Sequence, residues 1–281
     1  MTPGSTGEGQ EVNSCKADEV FADHAGRNLR VPLSGPVRNR QAQSHPQKSA
    51  MRLIHTAPIP GDSGELGLYQ RGQDYFIKIV GGQDLMNTRT HASEDALGVI
   101  ACRGLRGKPE ARVLIGGLGM GFTLSATLKA LDADAEVVVA EIVPGVVEWN
   151  RGVLGSFAGR PLDDTRTQVQ AVDVTVLLQK ERLGFDAIVL DVDNGPDGLT
   201  RASNQWLYSK AGLSVVFGAL QSGGALAIWS AGPDRAFTRR LRAVGFVVEE
   251  VTVRAHAGKG ARNVIWMARQ RQDLPPPGIG P

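Results

Sequence analysis

The sequence predicts an α/β protein: a doubly wound, mostly parallel seven-stranded sheet with helices on both faces, preceded by a small β domain. Three observations predict it. Beyond residue 107, short apolar runs alternate with helix-patterned segments, as a parallel sheet covered by helices requires. Between Glu65 and Asn87 the chain carries β-like runs around a polar turn. A strand-like run ending at Gly116 then passes through closely spaced glycines straight into a helix.

Residues 1–50 contain Phe21 as their only aromatic and show no sustained apolar periodicity, so they read as a disordered extension that cannot offset its ordering entropy. Its acids Glu8, Glu11, Asp18, Glu19 and Asp23 argue against a mitochondrial transit peptide. Residues 51–106 read as the small β domain plus a linking helix. Leu66 to Tyr69 and Tyr75 to Val80 flank the turn Arg71 to Asp74, and a helix capped near Ser93 runs to about Leu105. Gly104, Gly107 and Pro109 mark the junction.

Residues 107–270 form the larger domain. Its strands fall at Arg112 to Gly116, Glu136 to Ala140, Val169 to Ala171, Phe185 to Leu190 and Ala225 to Trp229, with Gly223 and Gly224 as the turn before the last. Helices lie between them: Gly121 to Leu131, Pro144 to Val153, Val174 to Arg182, Asn204 to Leu220 and Arg235 to Val244. The last has Phe237, Leu241 and Val244 on one face and Arg239, Arg240 and Arg242 on the other, a solvated face. Phe246 to Arg254 and Asn263 to Arg269, separated by a glycine-rich stretch from Ala257 to Ala261, close the sheet as an antiparallel pair. Residues 271–281 read as a disordered tail.

Composition narrows the function. Thirty-one Lys and Arg against 29 Asp and Glu leave a formal charge of +2 over 281 residues, which argues against a nucleic-acid coat or a polybasic membrane binder. Cys15 and Cys102 are too few for a disulfide framework or a cysteine-rich zinc site, so a cytoplasmic protein with passive thiols is expected. No apolar run approaches the roughly 20 residues of a membrane-spanning helix. The five histidines are scattered without a ligand pair at helical spacing, and no metal is expected.

The strongest local signal is the strand entering Gly117-x-Gly119-x-Gly121. Glycines let the backbone approach a ligand closely, and the new helix presents unpaired N–H groups. Phe122 stands where a dinucleotide fingerprint needs a third glycine, so a pyrophosphate fits poorly. Glu141 directly follows the second strand, where an acid accepts hydrogen bonds from both ribose hydroxyls of an adenosine. Asp173, after the third strand, is either a contact to the adenine side or a helix N-cap. Asp191, Asp193 and Asp197 follow the fourth strand at the sheet edge where such folds place ligands; Asp191 is the catalytic candidate, and Asp197 belongs to the turn. Trp206 and Tyr208 either line an acceptor pocket or pack in the core.

Together these residues resemble the polyamine aminopropyltransferases, the spermidine synthase family, a branch of the class I S-adenosylmethionine-dependent methyltransferase fold. The likeness spans about Glu65 to Arg269 and rests on Ser93-Glu94, Ile115 to Gly121, Glu141-Ile142, Asp173, Asp191 to Pro196, Gly223-Gly224 and Asn263 to Met267. It implies a cofactor site of Gly117, Gly119, Met120, Gly121, Glu141, Ile142 and Asp173. Asp191 would handle the attacking amine, and Glu94, Asp193 and Asn194 would bind the acceptor. It also implies decarboxylated S-adenosylmethionine as co-substrate, a small-molecule amine as partner, and a homodimer. Met120 stands where the family's loop carries an Asp for the aminopropyl ammonium, Ala92 and Ser93 replace a Tyr and a His, and Asn194 replaces a second acid.

Three functions follow. The first is aminopropyl transfer to a small amine. The second is methyl transfer from S-adenosylmethionine to a small molecule, since Met120 removes repulsion against the cofactor's carboxylate. The third is a nucleoside-binding protein that kept the fold and lost the chemistry.

Overall fold

The computed structural model describes residues 50–182, 184–192, 202–256 and 259–270. The expected terminal extensions, Asp193, Asn194, Asp197 and the first two residues of the final glycine-rich stretch, Ala257 and Gly258, lie outside these residues, apart from Ala50. The chain opens with a four-stranded antiparallel meander, β1 (Arg52–Pro58), β2 (Glu65–Arg71), β3 (Asp74–Ile79) and β4 (Asp84–Asn87), paired in that order. The expected hairpin is its centre, with Leu68 facing Ile77 and Arg71 facing Asp74. Sequence reading missed both flanking strands. In β1 only Ala57 is buried, and β4 is four residues long, so neither carries an alternation that reveals it.

Helix α1 (Ala92–Ala101) links the meander to the larger sheet. It is shorter than expected because Gly104 takes φ +88°, a left-handed conformation that ends the helical path. Buried Cys102 follows it, and burial pushes its thiol up to about 12, consistent with an inert packing residue.

The larger sheet contains β5 (Arg112–Gly116), β6 (Glu136–Ala140), β7 (Thr167–Gln170), β8 (Phe185–Leu190), β9 (Leu220–Ser230), β10 (Phe246–His256) and β11 (Lys259–Gln270). Their spatial order is β10-β11-β9-β8-β5-β6-β7; the five from β7 to β9 are parallel, and β11 runs antiparallel to both its neighbours. This is the expected seven-stranded, doubly wound α/β sheet. The bounds of β5, β6 and β8 match their apolar runs because central parallel strands are covered on both faces, and every residue of β8 is buried. In β9, Gly223 and Gly224 form an excursion inside a longer strand: Phe185 pairs with Leu220, but Ala187 already pairs with Ala225.

The intervening helices are α2 (Phe122–Ala130), α3 (Pro144–Arg151), α4 (Val174–Lys180), α5 (Ala202–Leu207), α6 (Lys210–Ala219) and α7 (Arg235–Val244). The single helix expected from Asn204 to Leu220 is two, because the Ser209 hydroxyl accepts from the Gly212 N–H and starts α6 afresh. Asp234 caps α7 by accepting from the Ala236 and Phe237 N–H groups, and Phe237, Leu241 and Val244 are buried as expected. Arg239 and Arg242 are solvated, whereas Arg240 turns back to donate to the Tyr208 carbonyl (2.8 Å). None of the described helices is long and apolar enough to cross a membrane.

One apolar core joins the meander to the sheet: Leu66, Leu68 and Ile77 pack in the same cluster as Leu97 of α1, Val113 and Ile115 of β5, and Val147 of α3. α1 and α2 approach at Gly98, where an added Cβ would lie 2.7 Å from the Thr123 carbonyl oxygen and 2.9 Å from the Ala126 Cβ. His91 stacks on Phe122 with ring centroids 4.0 Å apart, tying the starts of the two helices together. Gly98→Ala is expected to cost about 1–3 kcal/mol, because both helix backbones must separate. Urea denaturation measures it, and an unchanged midpoint would show that the contact yields freely.

Candidate active site

The chain reverses its direction of growth across the sheet between β5 and β8, and the carboxyl ends of parallel strands at such a switch point form an open crevice. Four strand ends deliver residues there. Gly117 follows β5, Glu141 follows β6, Asp173 lies beyond β7, and Asp191 follows β8. With Gly119, Met120, Ile142 and Glu94 they line one cavity of about 420 Å³, within the range of small-molecule sites. Gly121 does not line it, and instead occupies the N-cap of α2.

Gly117 has φ +89°, and a Cβ there would drive into the Asp191 carbonyl oxygen. The loop after β5 therefore rests directly on the end of β8. Its amide donates to the Ala140 carbonyl (2.9 Å), so the loop also continues the pairing toward β6. Glu141 completes the attachment. Its Oε2 accepts from the Leu118 N–H at 2.9 Å and its Oε1 from the Val143 N–H at 2.8 Å, while the side chain is only 7% exposed. Burial raises its pKa, and these backbone donors oppose the shift. A carboxylate has about four lone-pair sites, so two bonds leave acceptor capacity at the cavity wall.

Asp173 is a helix cap that also stands at the cavity. Its Oδ1 accepts from the Thr175 N–H (2.9 Å) and hydroxyl (2.8 Å), capping α4, and the residue also lines the cavity.

Asp191 and Glu94 form the acidic end. The Asp191 Oδ2 accepts from the Thr123 hydroxyl at 2.7 Å. Its pKa is pushed up to about 7, first by burial and then by the Glu94 charge, with the Thr123 hydrogen bond opposing. Glu94, held by the Ser93 hydroxyl at 2.5 Å, is likewise raised, chiefly by burial. Two carboxylates that resist ionisation together can retain a proton near neutral pH and exchange it with a bound group.

Three contributors escaped sequence reading. Thr123 tunes Asp191; it lies in the first turn after the glycine loop, a signal visible in principle. Asn150 donates to the Gly119 and Val146 carbonyls (2.8 and 2.9 Å), bracing the loop from α3. Trp229, at the end of β9, lines the cavity. Trp206 and Tyr208 do not line it: Tyr208 is buried and donates to the Val192 carbonyl (3.1 Å), and Trp206 packs on the same core.

No family model matches the chain. Over 127 residues it is 29% identical to the polyamine aminopropyltransferase of Saccharolobus islandicus strain L.S.2.15, covering 45% of this chain and 41% of that protein. The match to its counterpart in strain Y.N.15.51 has the same extent. Among solved structures, spermidine synthase from Thermotoga maritima superposes with a TM-score of 0.63 at 18% identity, covering 79% of this chain and 73% of that one. A spermidine synthase in complex with the transition state analogue AdoDATO gives 0.61 at 17% identity, with the same coverage.

The chain has the spermidine synthase fold. The expected resemblance to the aminopropyltransferases thus holds in sequence over part of the chain and in architecture over most of it. The matched stretch spans well under half of the curated relatives' length. Within this spermidine synthase fold, Glu141→Gln tests the attachment of the glycine loop. A carboxamide has one acceptor oxygen, so one buried N–H must meet another donor, at an expected cost of about 1–3 kcal/mol. Urea denaturation gives the loss, and amide hydrogen exchange should accelerate at Leu118 or Val143. Unchanged stability and exchange would mean that the loop holds its shape without the carboxylate.

Proposed function

We propose that the protein transfers the aminopropyl group of decarboxylated S-adenosylmethionine to a small amine. The observation that carries this reading is the Asp191 carboxyl, enclosed beside Glu94 in a cavity whose other side is the glycine loop and Glu141. A nucleoside fits the donors present. The bare backbone of Gly117 and Gly119 admits close approach, Glu141 retains lone pairs for two sugar hydroxyls, and Asp173 stands at the next strand for the base.

The amine nitrogen attacks the methylene beside the sulfonium; the C–N bond forms as the C–S bond breaks, and its electron pair leaves sulfur as a neutral thioether. Free alkyl amines are mostly protonated at neutral pH, with a pKa of about 10, so the site must take a proton and orient the lone pair. Asp191 accepts that proton, Thr123 fixes the carboxylate, and Glu94 keeps it basic enough to do so. Incubation with decarboxylated S-adenosylmethionine and amines should release methylthioadenosine. No release with putrescine, spermidine, cadaverine or a monoamine would overturn the reading.

Met120 supports a second reading, methyl transfer from S-adenosylmethionine, because it presents a buried, uncharged side chain to the cavity. Calorimetry with both cofactors separates the two: tighter binding of the decarboxylated form favours aminopropyl transfer.

The pH dependence has a definite sign. Asp191 works as the anion, so kcat/KM should fall below about pH 7, roughly tenfold per unit. Glu94→Gln removes the neighbouring charge that raises this pKa, and the acid limb should move to lower pH. A limb that stays in place would separate Glu94 from the base.

A further inference from the structure

Resting on the transferase reading, we propose that the acceptor is an amine with a single cationic centre on an apolar body, an alkylamine or arylalkylamine, rather than a diamine or polyamine. The side of the cavity facing the glycine loop is supplied by the meander and its turns: Ile59, Leu66, Ile77, Ile79, Leu85 and Met86. The polar side chains it adds are Asp62 and Asn87, and neither is a buried anion. Asp62 is exposed, and its Oδ1 accepts from the Gly64 N–H at 2.9 Å. Asn87 is neutral, and its Oδ1 accepts from the Arg89 N–H at 3.0 Å. Trp229 also lines the cavity, and its enclosed indole Nε1–H has no hydrogen-bond partner among the described residues; it is a donor that offers an ammonium nothing.

Among the described residues, the carboxylates free of backbone duties are therefore Glu94 and Asp191, both at the transfer end. Glu141 already holds two backbone N–H groups, and Asp173 caps α4. Burial raises both Glu94 and Asp191, so the pair resists carrying two charges and suits one reacting nitrogen. Among the described residues, a second ammonium lying along the apolar part of the meander wall would lose its hydration with no buried anion to replace it. Methylene or aryl groups in the same place are simply removed from water.

The test uses the full chain with decarboxylated S-adenosylmethionine and, in turn, hexylamine, phenethylamine, putrescine and spermidine, following methylthioadenosine release. The monoamines should exceed putrescine in kcat/KM by roughly tenfold or more. Hexylamine shares putrescine's primary amine, so a difference reports the distal end. Ile79→Glu places a carboxylate at a half-buried position on the meander wall and should shift the ratio toward the diamine by roughly tenfold. Putrescine or spermidine equal to or better than hexylamine in the unmodified protein overturns this inference and leaves the transferase reading standing. No release with any amine overturns both. The unmodified protein decides the matter even if the variant is unstable.

Discussion

A single buried carboxylate joins two strand ends, and the geometry of the crevice depends on it. The backbone N–H of Leu118, after β5, and that of Val143, after β6, both point at Glu141. Helix N-terminal and loop amides in a dry interior need acceptors, and here one side chain serves both. Its own desolvation is the cost, seen in a pKa raised by burial against the pull of those donors. With the loop so anchored, Gly117 can lie on the Asp191 carbonyl, and any side chain there would push β5 and β8 apart.

Much of this arrangement was legible because it follows from strand order. An acid directly after an apolar run in a parallel sheet must emerge at the carboxyl edge, which is why Glu141, Asp173 and Asp191 were readable as candidates. Central strands read cleanly because both faces are covered; β1, β4 and the early part of β9 did not, since their identity comes from pairing rather than from burial. The break between α5 and α6 turns on one hydroxyl at Ser209, which competes with helix continuation only when the chain around Gly212 packs closely.

What the sequence could not show was the company these acids keep. Glu94 and Asp191 are separated by most of the sheet in sequence, and nothing local to either predicts that each titrates in the other's presence. Asp173 was read as either cap or ligand contact, and its position permits both because one carboxylate oxygen suffices for the cap. Asn150 and Trp229 looked like ordinary helix and strand residues, and their places at the loop and cavity emerge only once α3 and β9 are docked.

The basicity of Asp191 is therefore a property of packing between two helices. Glu94 sits in the first turn of α1 and Thr123 in the first turn of α2. The first raises the Asp191 pKa and the second lowers it. Gly98 against Ala126 and His91 against Phe122 set how closely these helices lie, and so set both influences at once. Widening that contact would move Glu94 and Thr123 relative to Asp191 without altering any charged residue. The meander enters the same balance, because its apolar residues share the core with α1 and close the cavity opposite the loop. On the proposed transfer, the packing that keeps water from the acceptor's body would also raise the carboxyl proposed to take its proton, and acceptor selectivity and base strength would arise together.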